Sequence, residues 1–133
     1  MKQNHTLVSL DISSNDISDD CAKAIADALW QNSALKELGV RDITISASGV
    51  KAFAEALKQN HTLATLHIGY NMICDEGTIV IAEALKKSQA LTELNMVGNH
   101  ISDEGAKAMA ETLNQNNTLT TLNLFDNSDI TEK

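Results

Sequence analysis

The chain has 133 residues, enough for one domain with a buried core, and carries 18 acidic against 10 basic side chains for a net charge of −8. Nucleic-acid binding needs clustered Lys and Arg to neutralise phosphates, and an anionic membrane surface makes the same demand; here the bases are scattered and Arg41 is the single arginine, which speaks against both partners. With no proline and only Trp30, Phe53, Tyr70 and Phe125 as aromatic residues, the core has to be built from Leu, Ile, Ala and Val in small regular layers.

Five leucines, Leu7, Leu35, Leu63, Leu91 and Leu119, follow one another at intervals of 28 residues, and each opens the same phrase. The first phrase runs Leu7, Leu10, Ile12, Asn15, Ile17 and then Ala22, Ile25, Ala26, Leu29. Its alternating first half predicts a short strand with one face in the core. The i, i+3, i+4, i+7 spacing of its second half predicts a helix with one apolar stripe. The second phrase keeps Leu35, Leu38, Val40, Ile45 and the stripe Val50, Phe53, Ala54, Leu57, but has Ile43 where asparagine is expected. The third has Leu63, Leu66, Ile68, Asn71, Ile73 and the stripe Thr78, Ile81, Ala82, Leu85. The fourth has Leu91, Leu94, Met96, Asn99, Ile101 and the stripe Ala106, Met109, Ala110, Leu113. The fifth begins Leu119, Leu122, Leu124, Asn127 and breaks off.

The asparagine turns the chain, and its amide can satisfy backbone groups that the turn leaves buried, repeat after repeat. Ser18, Ser46 and Ser102 stand where N-caps belong, with Cys74 a poor cap in the third repeat. Asp19, Asp20, Asp103 and Glu104 suit a first helical turn. Gly49, Gly77 and Gly105 recur early in the helices, where a missing side chain allows close packing. No repeat can bury its own strand and stripe, so the repeats must stack. The expectation is an α/β solenoid of about four and a half repeats, one domain over residues 1–133, with parallel strands on the concave face and helices on the convex face.

Leu-x-x-Leu-x-Leu-x-x-Asn with this helical half, and above all Asp103-Glu104-Gly105-Ala106-Lys107-Ala108-Met109-Ala110-Glu111-Thr112-Leu113, resembles the ribonuclease-inhibitor-like leucine-rich repeats. It is similar also to repeats of NOD-like receptors and of secreted effectors of intracellular bacteria. The resemblance covers essentially the whole chain. It implies a protein-interaction module, an inhibitor or regulator that binds its partner with the concave face. The alternatives it leaves open are an activator of a GTPase, after the Ran GTPase-activating protein, and a ligand-sensing receptor segment. The setting expected is cytoplasmic, the host cytosol in the case of a secreted effector.

Lys2-Gln3-Asn4-His5-Thr6-Leu7 is identical to Lys58-Gln59-Asn60-His61-Thr62-Leu63, so the chain starts as if at the tail of a helix. No polar capping unit is evident at either end; the ends are where the chain would self-associate, or where a longer array would continue. Cys21 and Cys74 lie two repeats apart, roughly 10 Å at the spacing of neighbouring strands and beyond the ~7 Å reach of a disulfide, so free thiols are expected. His5, His61, His67 and His100 are too dispersed to hold a metal, and no cofactor loop or catalytic set stands out; the reading is of a binding protein and not an enzyme.

Function is then expected among the outward residues of the strands and turns. Ser9, Asp11, Ser13, Glu37, Gly39, Arg41, Thr65, His67, Gly69, Glu93, Asn95, Val97, Thr121, Asn123 and Phe125 face outward, with Asp16, Asp42, Tyr70, Met72, His100 and Asp126 at the rim. From these, Arg41, His67, Tyr70, Met72, Val97 and Phe125, bordered by Glu37, Asp42, Glu93 and Asp126, form the candidate protein-binding site. Gly69 is expected to leave a gap in the line Arg41, Gly69, Val97, Phe125 and so create an apolar groove. A protein with a partly basic surface is the partner this charge pattern fits.

Overall fold

The computed structural model describes residues 4–15 and 17–127. Each repeat yields the strand and helix its two periodicities demand. The strands are β1 (Ser9–Asp11), β2 (Glu37–Gly39), β3 (Thr65–His67), β4 (Glu93–Asn95) and β5 (Thr121–Asn123); the helices between them are α1 (Asp19–Gln31), α2 (Ala47–Gln59), α3 (Cys74–Leu85) and α4 (Asp103–Leu113). The strands form one parallel sheet in chain order, so consecutive repeats are neighbours throughout. The register is the 28-residue step itself, with Leu10, Leu38, Leu66, Leu94 and Leu122 paired in one row. The central strand leucines join the helical stripe residues Ala26, Phe53, Ala54, Ile81 and Met109 in one continuous core.

The asparagines behave as expected. Asn71 and Asn99 are buried. The Asn71 amide nitrogen donates to the carbonyls of Val40, Ile68 and Gly69 at 3.0–3.1 Å, and its oxygen accepts from the N–H groups of Ile43 and Ile45 in the preceding repeat. Asn127 serves Asn99 and Ile101 in the same way. Ile43 offers no amide to the first repeat; it is fully buried in the core instead.

Ser102 caps α4 as expected, its hydroxyl oxygen accepting the Glu104 N–H at 3.4 Å, but the other helix starts differ from expectation. Ser18 and Ser46 make no capping bond with their side chains, and α3 begins at Cys74, with Ile73 in the cap position. The carboxylate of the preceding repeat does the capping. Asp19 accepts from the N–H and hydroxyl of Ser46, and Asp75 accepts from the N–H and hydroxyl of Ser102 and from the N–H of Gly105. An N-terminal acid thus stabilises its neighbour's helix as well as its own, because stacked helices place their N-termini side by side. Gly49 and Gly105 are needed there: a Cβ on either would lie 2.5 Å from the Asp19 or Asp75 carboxylate oxygen. Cys21 and Cys74 are free thiols.

Candidate functional site

The concave face is laid out in rows by the strand register. One row is Ser9, Glu37, Thr65, Glu93, Thr121 and the next is Asp11, Gly39, His67, Asn95, Asn123. Each strand then ends in a residue at positive φ, in the series Ser14, Asp42, Tyr70, Gly98, Asp126. Backbone bonds from Asp42 to Gly69, Tyr70 to Val97 and Gly98 to Phe125 carry the sheet register into these turns. The side chains that matter here are therefore mounted on hydrogen-bonded backbone.

Two zones result. The first is polar and spans the first four repeats: a depression of about 300 Å³, floored by Gly39 and lined by Asp11, Ser13, Glu37, Arg41, His67 and Asn95. The Ser9 hydroxyl donates to Glu37 at 2.7 Å, and the other Glu37 oxygen lies 3.9 Å from His67 Nε2, an ion pair whenever the imidazole is protonated. The Ser13 hydroxyl oxygen accepts the Arg41 N–H at 2.9 Å, which ties the single guanidinium's backbone to the first repeat. The Asp11 carboxyl is held below the usual aspartate value by the Ser13 hydroxyl first and the Ser13 N–H second; burial opposes this, while the charges of Arg41 and His67 assist it. Asp11 is therefore ionised at neutral pH and available to a cation.

The second zone is apolar and lies at the turn ends of the third to fifth repeats. Tyr70 is 49% exposed, Met72 54% and Phe125 76%. The groove expected here is absent. Val97 is only 7% exposed because its side chain closes over Gly69, where a Cβ would stand 2.6 Å from Val97 Cγ1. The Tyr70 ring lies against Gly98, whose positive φ and missing side chain make room for it. The product is a shelf: Val97 is its floor, and Tyr70 and Phe125 stand up from it.

The predicted residues fall accordingly. Arg41, His67 and Glu37 come together in the depression; Tyr70, Val97 and Phe125 share the shelf; Asp42 and Asp126 occupy exposed turn positions equivalent to Tyr70. Met72 sits further along its turn, bonded through its N–H to Ile45, and Glu93 is half-buried in the strand row. Asp16, expected at the rim, lies outside the described residues. Ser13, Gly39 and Asn95 were placed on this face by the alternation but not recognised as lining a depression; Gly39 beside Arg41 and Asp11 was the available signal. Among the described residues no group of three or more His, Cys, Asp or Glu side chains could hold a metal ion, and no helix is long and apolar enough to cross a membrane.

A stack of strand–helix repeats with a helix-free, side-chain-rich face is the build of a binding module. The chain belongs to the Leucine Rich repeat family, whose pattern matches residues 3–26, 59–82, 87–110 and 115–132. The second repeat, with Ile43, falls in the unmatched stretch. Leucine-rich repeats are in general protein-interaction domains. No curated protein matches the chain. Among solved structures, actin-binding site 2 of leiomodin-1 is similar over 88% of this chain and 69% of its own, with 26% identity and a TM-score of 0.85. The tropomodulin C-terminal domain of Caenorhabditis elegans is similar over 89% of this chain and 73% of its own, with a TM-score of 0.81; at 14% identity it bears on the fold alone.

Proposed function

We propose that this chain is a non-enzymatic regulator that covers part of a partner protein with its concave face. The observation that carries the reading is the pairing of two zones on one rigid sheet. An apolar shelf presents Tyr70 and Phe125, aromatic residues of the kind that anchor interfaces, beside a depression that offers Asp11, Glu37 and Arg41. Aromatic anchors would supply the affinity. The acids around them, Glu37, Asp42, Glu93 and Asp126, would steer a partner with a partly basic surface. The likeness to an actin-binding segment of leiomodin-1 makes actin the first purified partner to try.

The test is a binding comparison by co-sedimentation with actin and by titration of any protein the chain retains from a cell extract. Tyr70→Ala and Phe125→Ala are expected to weaken binding by about 2 kcal/mol each, roughly 30-fold. Asp126→Lys should slow association more than it speeds dissociation. Lys51→Ala and Lys107→Ala on the convex side serve as controls. Normal binding by both aromatic variants together with loss in the lysine variants would move the interface to the helices and overturn the reading.

A further inference from the structure

Gly39 sits at the centre of the concave-face depression, and the positions around it on that face carry ionisable side chains. Asp11 on β1 and His67 on β3 flank it in the strand row, and Asn95 continues the row on β4. Glu37 lies two residues before it and Arg41 two residues after it, on the same face by the alternation of a strand. The signs are sorted around this centre. The carboxylates of Asp11 and Glu37 lie toward the first repeat and the start of β2. The groups with side-chain N–H donors, Arg41, His67 and Asn95, lie beyond the end of β2 and toward the fourth repeat.

The opposite charges do not meet. Among the described residues the Arg41 guanidinium has neither an ion pair nor a hydrogen bond, although Asp11 and Glu37 line the same space. Serines hold the carboxylates in place: Asp11 accepts from the Ser13 N–H and hydroxyl, and Glu37 from the Ser9 hydroxyl. His67 approaches Glu37 only to 3.9 Å, and a neutral imidazole leaves that carboxylate uncompensated. The Asn95 oxygen accepts the Val97 N–H at 3.0 Å, while its amide nitrogen has no partner among the described residues. Gly39 keeps the centre open. A Cβ there would stand 2.7 Å from Asp11 Oδ1, so the Asp11 carboxylate leans over bare backbone.

We infer that this depression binds an α-amino acid, with the ammonium toward Asp11 and Glu37 and the carboxylate toward Arg41 and Asn95. A ligand with only a cation would leave Arg41 unpaired, and one with only an anion would face the two acids; a zwitterion satisfies both sides. Its charges must be close together, because two strand spacings put β1 and β3 only about 10 Å apart and the side chains of Asp11 and His67 take up part of that. The volume of about 300 Å³ leaves room for the amino acid's own side chain. The depression lies within the face proposed to dock a protein, but the inference does not rest on that reading.

The experiment is an amide-resolved NMR titration of the full chain with L-alanine, at constant ionic strength and with no partner protein present. Saturable shifts of the Gly39 and Arg41 N–H signals are expected. L-alaninamide keeps only the cation and N-acetyl-L-alanine only the anion, and each should bind at least about tenfold more weakly. The same holds for 6-aminohexanoate, whose charges are far apart. Arg41→Gln should weaken L-alanine at least about tenfold without weakening L-alaninamide, and Asp11→Asn should weaken L-alanine without weakening N-acetyl-L-alanine. Gly39 has no positive φ, so Gly39→Ala should fold, push the Asp11 carboxylate aside and abolish the response. No saturation by L-alanine overturns the inference. So does an equal response to either singly charged analogue, tighter binding of 6-aminohexanoate, or L-alanine binding that survives in folded Gly39→Ala or in Arg41→Gln. Failure of the chain to dock a protein through this face would change none of these outcomes.

Discussion

The solenoid carries two asparagine series, one where strands end and one where helices end, and each is interrupted once. The interruptions turn out differently. At the strand end Ile43 gives up the amide but is completely buried, joining Leu38, Val40 and Ile45 in the core. At the helix end, where Asn4, Asn32, Asn60 and Asn116 each accept two consecutive backbone N–H groups, Ser88 takes the remaining place; it is buried too, but brings neither the amide nor an apolar side chain. The amide is lost in both; the replacement side chain decides whether apolar packing takes its place. An apolar group regains stability from burial, about 25 cal/mol per Å² removed from water, whereas a shorter polar group regains little.

That contrast can be broken at several points. Ile43→Ala should be the most costly change, about 2–5 kcal/mol in urea unfolding, because it turns a filled interruption into a cavity. A loss below about 1 kcal/mol would show that Ile43 is not core in solution. Asn71→Ala should cost on the order of 1–3 kcal/mol, since it leaves the N–H groups of Ile43 and Ile45 and the Val40 carbonyl without the amide. A loss near zero would mean that the series is decoration. Ser88→Asn should move the other way and stabilise by about 1 kcal/mol, because it restores the amide of this series without removing core; destabilisation would show that position 88 cannot take an amide.

Acid should act through the helix-start carboxylate of Asp75, with a smaller effect. For Asp75 burial alone would raise the pKa, but the hydrogen bonds from the Ser102 hydroxyl, the Ser102 N–H and the Gly105 N–H outweigh it, with the Asp103 charge opposing, and leave the carboxyl lowered. A lowered folded-state value means that the stabilisation is present above the ordinary aspartate range and is lost as pH falls through the folded value. The melting temperature should therefore drop below about pH 4, and Asp75→Asn should flatten part of that drop. An unchanged acid limb in that variant would remove Asp75 from the account.

Much of this was legible in the sequence, because a fixed 28-residue step turns one correct repeat into five. Strands, helices, their order and the burial of Ile43 all follow from spacing. The second asparagine series was equally visible at positions 4, 32, 60 and 116 but carries no apolar alternation to draw attention to it. Val97 was misjudged for a physical reason: the alternation says which face a side chain leaves from, not that a glycine one repeat away will let it lie down. The acids were assigned to their own helices since single-helix reasoning does not see the next helix's N-terminus.

The carboxylate clamps also set rules for changing the length of the array. Asp19 grips the second repeat and Asp75 the fourth, 56 residues on, while the second repeat has Ala47 at the corresponding place. The identical hexapeptides starting at Lys2 and Lys58 show the same double step. Excising the second repeat alone would bring Asp19 against Cys74, which has no hydroxyl to offer. Excising the second and third together would bring it against Ser102 and Gly105, the partners Asp75 holds now. Pairs of repeats, not single ones, are the interchangeable parts of this molecule.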